Sequence, residues 1–269
     1  MTEPLRLMGI LAHPDDESLG IGGTLAHYAA EGVETYVVTA TRGERGWNGP
    51  PDDYPGLEGL GKIREVELNG AVAVLGVRGL TYLDYIDGDL DRADPREVIA
   101  RIVRAICEHK PQVVVTFAHD GAYGHPDHIA ISQFTTGAIV CAADSLYTAA
   151  LGLQPHRVSK LYYMALDQKL GDAYTSAFGQ LSMEIDGVAR SGTVWPDWSF
   201  TTHIDATAHW ERVWQAVACH RSQLLNYVHL AQLTSAEHKQ LWGNQSFYRV
   251  FSLVNGGRQR EHDLFEGLR

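Results

Sequence analysis

The sequence predicts an α/β chain, a doubly wound, mostly parallel sheet of strand order 3-2-1-4-5 followed by a C-terminal elaboration. Three observations carry this. Short apolar, β-branched runs alternate with segments of helical apolar spacing through the first 166 of 269 residues. The fourth run, QVVVTF at 112–117, is nearly all apolar, as in a strand covered on both faces by crossover helices. Gly and Pro fall between the runs, where the chain has to turn.

Residues 5–12 form the first apolar strand, and IGGTLAHYAAE at 21–31 reads as a helix closed by Gly32. VETYVVTA at 33–40 is β-branched and strand-like. Over 62–75, apolar residues at Ile63, Val66, Leu68, Ala71, Val72 and Leu75 give a helical spacing that Gly76 stops. Residues 80–86 are a short third strand. Asp94-Pro95 opens a helix through His109, with proline in the first turn, where its missing N–H does no harm. The fourth strand follows, then a helix over 126–144 and a fifth strand over 160–166. Beyond that the rhythm weakens. A helix at 172–181, a clearer one at 206–219 and a late strand at 247–254 are expected, within one domain: a core over 1–166 and an elaboration over 167–269.

Hydrophobic residues make up 45% of the chain, which excludes a mainly disordered protein. Lys and Arg number 22 against 33 Asp and Glu, a net charge of −11, which argues against a nucleic-acid binder with its clustered cationic face. Cys107, Cys141 and Cys219 are too few and too scattered for a disulfide framework or a cysteine zinc cluster, and read as buried thiols. The first apolar run is short, carries Arg6 and ends in His13-Pro14-Asp15-Asp16, unlike a secretion signal. The apolar stretch at 129–143 is interrupted by Ser132, Gln133, Thr135 and Thr136, so no membrane span is expected. The expectation is a soluble, cytoplasmic chain with a small-molecule partner; homo-oligomerisation stays open.

Chemistry concentrates in two stretches. Ala12-His13-Pro14-Asp15-Asp16-Glu17 lies where the first strand gives way to its helix, and His125-Pro126-Asp127-His128 lies between the fourth strand and the next helix. In the order 3-2-1-4-5 those strands are neighbours whose helices diverge to opposite faces, opening a crevice at their carboxyl ends. Imidazole and carboxylate are zinc ligands, and a catalytic site keeps three protein ligands plus water. His13, Asp16 and His128 supply that number. Asp15 cannot easily point the same way and is free to act as a base. Either motif alone has a plainer reading, in which the acids offset the positive end of a helix and the histidines are turn residues. Their meeting at adjacent strand ends favours the metal.

These residues also resemble the PIG-L/LmbE family of zinc-dependent N-deacetylases. Besides AHPDDE and HPDH, the likeness includes Thr41-Arg42-Gly43-Glu44, Arg64 with Glu67, Ala118-His119-Asp120-Gly121 and His220-Arg221-Ser222-Gln223. It implies a Rossmann-like fold and removal of an acetyl group from a GlcNAc-type amino sugar or related N-acyl substrate. It further implies zinc on His13, Asp16 and His128, with Asp15 as general base. His125 would stabilise the tetrahedral intermediate, Asp127 would tune or orient it, and Tyr123 would lie near the reacting carbonyl. Arg64 would contact substrate, and His220 would lie near substrate or behind the metal. Residues 167–205 match nothing, and the substrate is usually determined in such parts.

Other features are weaker. Trp47, in a Gly- and Pro-rich loop after the second strand, could stack on a sugar face or pack on its own loop. His119 reads equally as a turn residue or as a partner to a metal ligand. Gly20, Gly22 and Gly23 do not make a dinucleotide fingerprint and instead permit close helix–strand packing, and neither a G-x-S-x-G elbow nor a P-loop occurs. The alternatives to an N-deacetylase are an amidase for a larger N-acyl or thiol-conjugate amide and a non-catalytic metal- or sugar-binding module. Two histidines with an oxygen ligand would also accept iron, cobalt or manganese.

Overall fold

The computed structural model describes residues 3–180, 182–185, 187–225, 228–257 and 259–269. Five strands follow the predicted rhythm: β1 (Arg6–Leu11), β2 (Glu34–Thr41), β3 (Gly79–Tyr85), β4 (Val113–Phe117) and β5 (Lys160–Met164). Between them run α1 (Asp16–Ala30), α2 (Gly56–Leu75), α3 (Pro95–His109), the single turn α4 (Gly121–Gly124), α5 (Pro126–Ala143) and α6 (Ser145–Ala150). The strands are parallel in the order 3-2-1-4-5. All five residues of β4 are buried, as its sequence demands, and each of its valines contributes roughly 2 kcal/mol by leaving water. α1 packs with α2 on one face of the sheet, and α3 with α5 on the other. In α3 the stripe Val98, Ile102, Val103 and Ile106 is buried, and Asp94 caps the helix by accepting the Arg96 N–H at 2.9 Å.

The C-terminal part adds α7 (Gln168–Phe178), the hairpin β6 (Ser182–Ile185) and β7 (Val188–Ser191), β8 (Thr202–Asp205), α8 (Trp210–Val217), α9 (Arg221–Leu224), α10 (Ser235–Trp242) and β9 (Asn244–Ser252). β9 pairs antiparallel with β5, and β8 with β9, so the sheet grows to seven strands in the order β3-β2-β1-β4-β5-β9-β8. The expected late strand is therefore an extension of the central sheet.

Several boundaries move for local reasons. α1 starts at Asp16, ahead of the expected 21, because its first turns carry the acidic motif and the backbone kinks at Ile21 (φ −134°, ψ 16°). α2 begins at Gly56, since Gly59 and Gly61 disguise its opening turns as loop. α7 starts at Gln168 behind an Asp167 cap and ends at Phe178; the expected end at 181 lies outside the described residues. Gly22 and Gly23 do allow close packing, but against the C-terminal part: a Cβ on Gly23 would lie 2.8 Å from both Ala206 Cβ and the Trp242 carbonyl. Cys107, Cys141 and Cys219 are free thiols, but only Cys107 is buried; Cys141 and Cys219 are partly exposed. No helix among the described residues is long and apolar enough to cross a membrane.

Candidate active site

The crevice forms where expected, at the carboxyl ends of β1 and β4. Asp16 sits in the first turn of α1, and its Oδ2 accepts the backbone N–H groups of Ala12 (3.1 Å) and His13 (2.7 Å). That leaves Oδ1 facing His128 Nε2 at 3.5 Å. His128, in the first turn of α5, stacks on Phe117 with ring centroids 3.9 Å apart and donates from Nδ1 to the Gly121 carbonyl at 3.2 Å. Its Nε2 is thereby left as a lone pair, 3.1 Å from His13 Nδ1. The opposite ring nitrogen of His13 lies 3.1 Å from both Asp127 Oδ2 and Asp87 Oδ1. Two carboxylates there require an N–H, so a neutral His13 also turns a lone pair toward His128.

Two imidazole lone pairs and a carboxylate meeting at one point need a positive charge between them. Burial opposes charge on His13, but its hydrogen bonds to Asp127 and Asp87 outweigh this and push its pKa up to about 10. His128 is driven well below the usual histidine value by burial and by its charged neighbour His13. Burial lifts Asp16 to about 7 even against the pull of His13. The donor set is compatible with a metal site. His13, His125 and His128 offer nitrogens within 4.8 Å of one another, and His13, Asp87 and Asp127 form a second such group behind the first.

His125 is better placed as a donor than as a ligand. It is the N-cap of α5, and its Nδ1 accepts the Asp127 N–H at 3.1 Å, so the proton of the neutral ring resides on Nε2. Burial and the nearby His13 lower its pKa to about 4. Asp127 thus holds His125 through its backbone N–H, while its side chain turns elsewhere. Its carboxylate touches His13, not His125, and is fixed by the N–H groups of Gly88 (2.7 Å) and Leu90 (3.2 Å). Asp127 therefore orients His13.

Asp15 stands apart from the cluster and lines the adjoining cavity. It has a left-handed backbone, φ 106°, a strain that persists only where surroundings enforce it. Here Glu17 Oε2 accepts the Asp15 N–H at 3.0 Å, and Arg64 Nη2 lies 3.1 Å from Asp15 Oδ2. Burial raises the carboxyl's pKa, with Arg64 and His220 opposing. Arg64 is buried, and its guanidinium also holds the carbonyls of Gly43 (3.0 Å) and Pro14. It is not part of the cavity wall, so its expected substrate contact becomes support for Asp15 from behind.

The cavity, about 290 Å³, is lined by Asp15, Asp16, Tyr123, His128 and His220 at its reactive end. His220 Nε2 meets Glu17 Oε1 at 2.8 Å, while its buried Nδ1 has no protein partner. Burial disfavours charge on this ring, but the Glu17 charge and hydrogen bond prevail and raise its pKa. Burial also raises the Tyr123 hydroxyl, which stays protonated. Trp47 is absent from the lining. Its indole N–H donates to the Pro50 carbonyl at 2.9 Å and its ring lies against Tyr54, the loop-packing alternative. His119 is exposed beside Trp195, away from the ligand cluster. Sequence reasoning missed Asp87. The available signal was its position just past the third parallel strand, at the ligand-binding edge of such sheets.

A family model described as GlcNAc-PI de-N-acetylase, PIG-L, matches residues 8–139. A protein of Kineococcus radiotolerans named 1D-myo-inositol 2-acetamido-2-deoxy-alpha-D-glucopyranoside deacetylase is 32% identical over 305 residues, covering 100% of this chain and 84% of its own length. Mycothiol S-conjugate amidase of Streptomyces coelicolor is 31% identical over 302 residues, covering 100% and 99%. Among solved structures, the conserved protein TT1542 of Thermus thermophilus superposes with a TM-score of 0.66 at 25% identity, over 94% of this chain and 97% of that one. The full-length match to these relatives, with both site motifs inside the matched segment, makes this chain a member of the PIG-L family.

Proposed function

We propose that this chain is a metal-dependent amide hydrolase that removes the N-acetyl group from a GlcNAc-containing small molecule. The observation that carries the reading is the pair of facing nitrogens, His13 Nδ1 and His128 Nε2, beside Asp16, with Asp15 outside that group at the cavity wall. The names of the relatives support an amino-sugar amide as substrate. His13, Asp16 and His128 would hold the cation, zinc in the first instance. When bound, it would supply the Lewis acidity that makes water nucleophilic near neutral pH and polarises the amide carbonyl.

The chain's own groups perform the remaining work. Asp15, its basicity raised by burial, takes a proton from water as the hydroxyl oxygen adds to the amide carbon. The negative charge that develops on the carbonyl oxygen meets the Tyr123 O–H and the His125 Nε2–H; His220, whose Nε2–H is given to Glu17, adds an Nδ1–H donor in its protonated form. Asp15 then returns its proton to the nitrogen as the C–N bond breaks, giving the amine and acetic acid, whose proton passes to the amine to leave acetate and an ammonium group. Arg64 and Glu17 keep Asp15 in place, and Asp87 and Asp127 keep His13 in the tautomer the cation needs.

Metal analysis combined with acetate release from N-acetyl sugars tests the assignment. Asp15→Ala is expected to retain metal and lose nearly all turnover, whereas His13→Ala loses both. An Asp15→Ala protein of near-normal activity would refute the base. Metal-loaded protein that binds the sugars without releasing acetate would make it a binding module.

A further inference from the structure

Beyond its reactive end, the cavity runs between the end of β5, α7 and the α8–α9 segment. Its wall there consists of Met164, Leu166, Leu170, Tyr174, Phe178 and Val217. The remaining polar side chains of the lining are engaged inside the protein. Gln245 Oε1 accepts the Thr24 N–H (2.7 Å) and hydroxyl, and its Nε2 donates to the Gly20 carbonyl at 2.9 Å. Ser246 Oγ donates to Asp167 (2.6 Å), and Gln223 Nε2 to the Gly46 carbonyl (2.8 Å). Asn48 Nδ2 donates to Gln223 Oε1 at 3.0 Å, and the Tyr174 hydroxyl to the Leu19 carbonyl.

A polyol ring seated in this chamber would bury most of its hydroxyl groups against carbon, since the few polar side chains there are already bonded within the protein, and the penalty compounds with each hydroxyl left unpaired. An aliphatic or aryl group carries no such penalty and gains from leaving water. We infer that the substrate of this chain bears an apolar substituent close to the scissile amide, held by this chamber, and that the inositol ring in the relatives' named substrate is a poor occupant. The inference rests on the amide-hydrolase reading above. An apolar substituent reaches the chamber either as a longer N-acyl chain or as an apolar aglycone, which the experiment separates.

Metal-loaded wild-type protein is assayed on N-acyl glucosamines from acetyl to octanoyl, on 2-acetamido-2-deoxyglucosides from methyl to octyl, and on the inositol glycoside. In one series kcat/KM is expected to climb by up to about fourfold per added methylene. A climbing acyl series places the acyl chain in the chamber, and a climbing glycoside series places the aglycone there. Leu170→Asn and Phe178→Ser, both at half-buried positions, are expected to cut the long-to-short ratio by about tenfold. Calorimetric Kd values for the longest and shortest members, measured on metal-loaded Asp15→Asn, read binding without turnover. Tighter binding of the long member with no cleavage by wild type would keep the chamber and overturn the hydrolase. Cleavage with no length preference in kcat/KM or Kd, or preference for the inositol glycoside, would overturn the chamber and keep the hydrolase.

Discussion

His13 serves two sides of the site at once, with Asp87 and Asp127 on Nε2 and His128 facing Nδ1. Carboxylates behind a ligating imidazole raise its basicity and fix its tautomer, so they act on the metal without touching it. Asp87 lies well below the usual carboxylate range: burial opposes this, but the hydrogen bond and charge of His13 dominate. Asp87→Asn keeps the shape and removes the charge. It is expected to weaken metal binding by about 10–100-fold, measured by competition with a chromophoric chelator. Unchanged affinity would reduce Asp87 to its other contact, the Arg45 N–H at 3.2 Å.

Among the elements, α1 holds both the acidic motif and the glycine face on which the C-terminal part rests. The Trp242 carbonyl, part of the backbone, lies where a Cβ on Gly23 would come within 2.8 Å, so it cannot yield as a flexible side chain would. Gly23→Ala is expected to destabilise the fold by about 1–3 kcal/mol, read from the urea midpoint. A midpoint equal to wild type would mean that the two segments part without cost. The regular elements were legible because their signals are local: α3 through its stripe and Asp94-Pro95 start, β4 through its continuous apolar run. The opening turns of α2 were not, since Gly56, Gly59 and Gly61 carry no helical signal of their own; Glu44 and Arg42 come within 3.1 and 3.5 Å of the Cβ position of Gly61, a contact local sequence does not reveal.

Across the whole molecule, Glu261 ties the C-terminal tail to the sheet. Its Oε1 accepts from Lys160 Nζ (2.8 Å) and Asn255 Nδ2 (2.5 Å), and its Oε2 from the hydroxyls of Tyr162 (2.8 Å) and Thr202 (2.9 Å). Both members of the Lys160–Glu261 pair have 0% side-chain exposure. Burial pushes the Glu261 pKa up, but these hydrogen bonds outweigh it and hold the carboxyl below its usual range. A folded-state value below the unfolded one gives stability that is complete above the ordinary glutamate pKa of about 4.3 and lost as pH falls through the depressed value. Glu261→Gln leaves Lys160, and Arg249 with its Nη1 2.7 Å from Glu261 Oε1, buried without their counter-charge and is expected to cost about 3–5 kcal/mol at pH 7. Denaturant titrations of both proteins should show that gap closing as pH drops below about 4. A gap constant down to pH 3 would rule out an ionic origin.

The sequence by itself determined the order of five parallel strands and the placing of His13, Asp15, Asp16 and His128 at two adjacent strand ends. The alternation of strands and helices and the position of each motif at a strand end follow from periodicity and neighbouring residues; the strand order followed from the doubly wound class that this alternation implies. Only the tertiary structure decided that Asp127 serves His13, that Asp87 joins it, that Arg64 stands behind Asp15, and that apolar side chains from 164–178 and from Val217 wall the cavity. Those facts concern which atoms of distant segments face each other once the sheet has closed, and no local pattern encodes them.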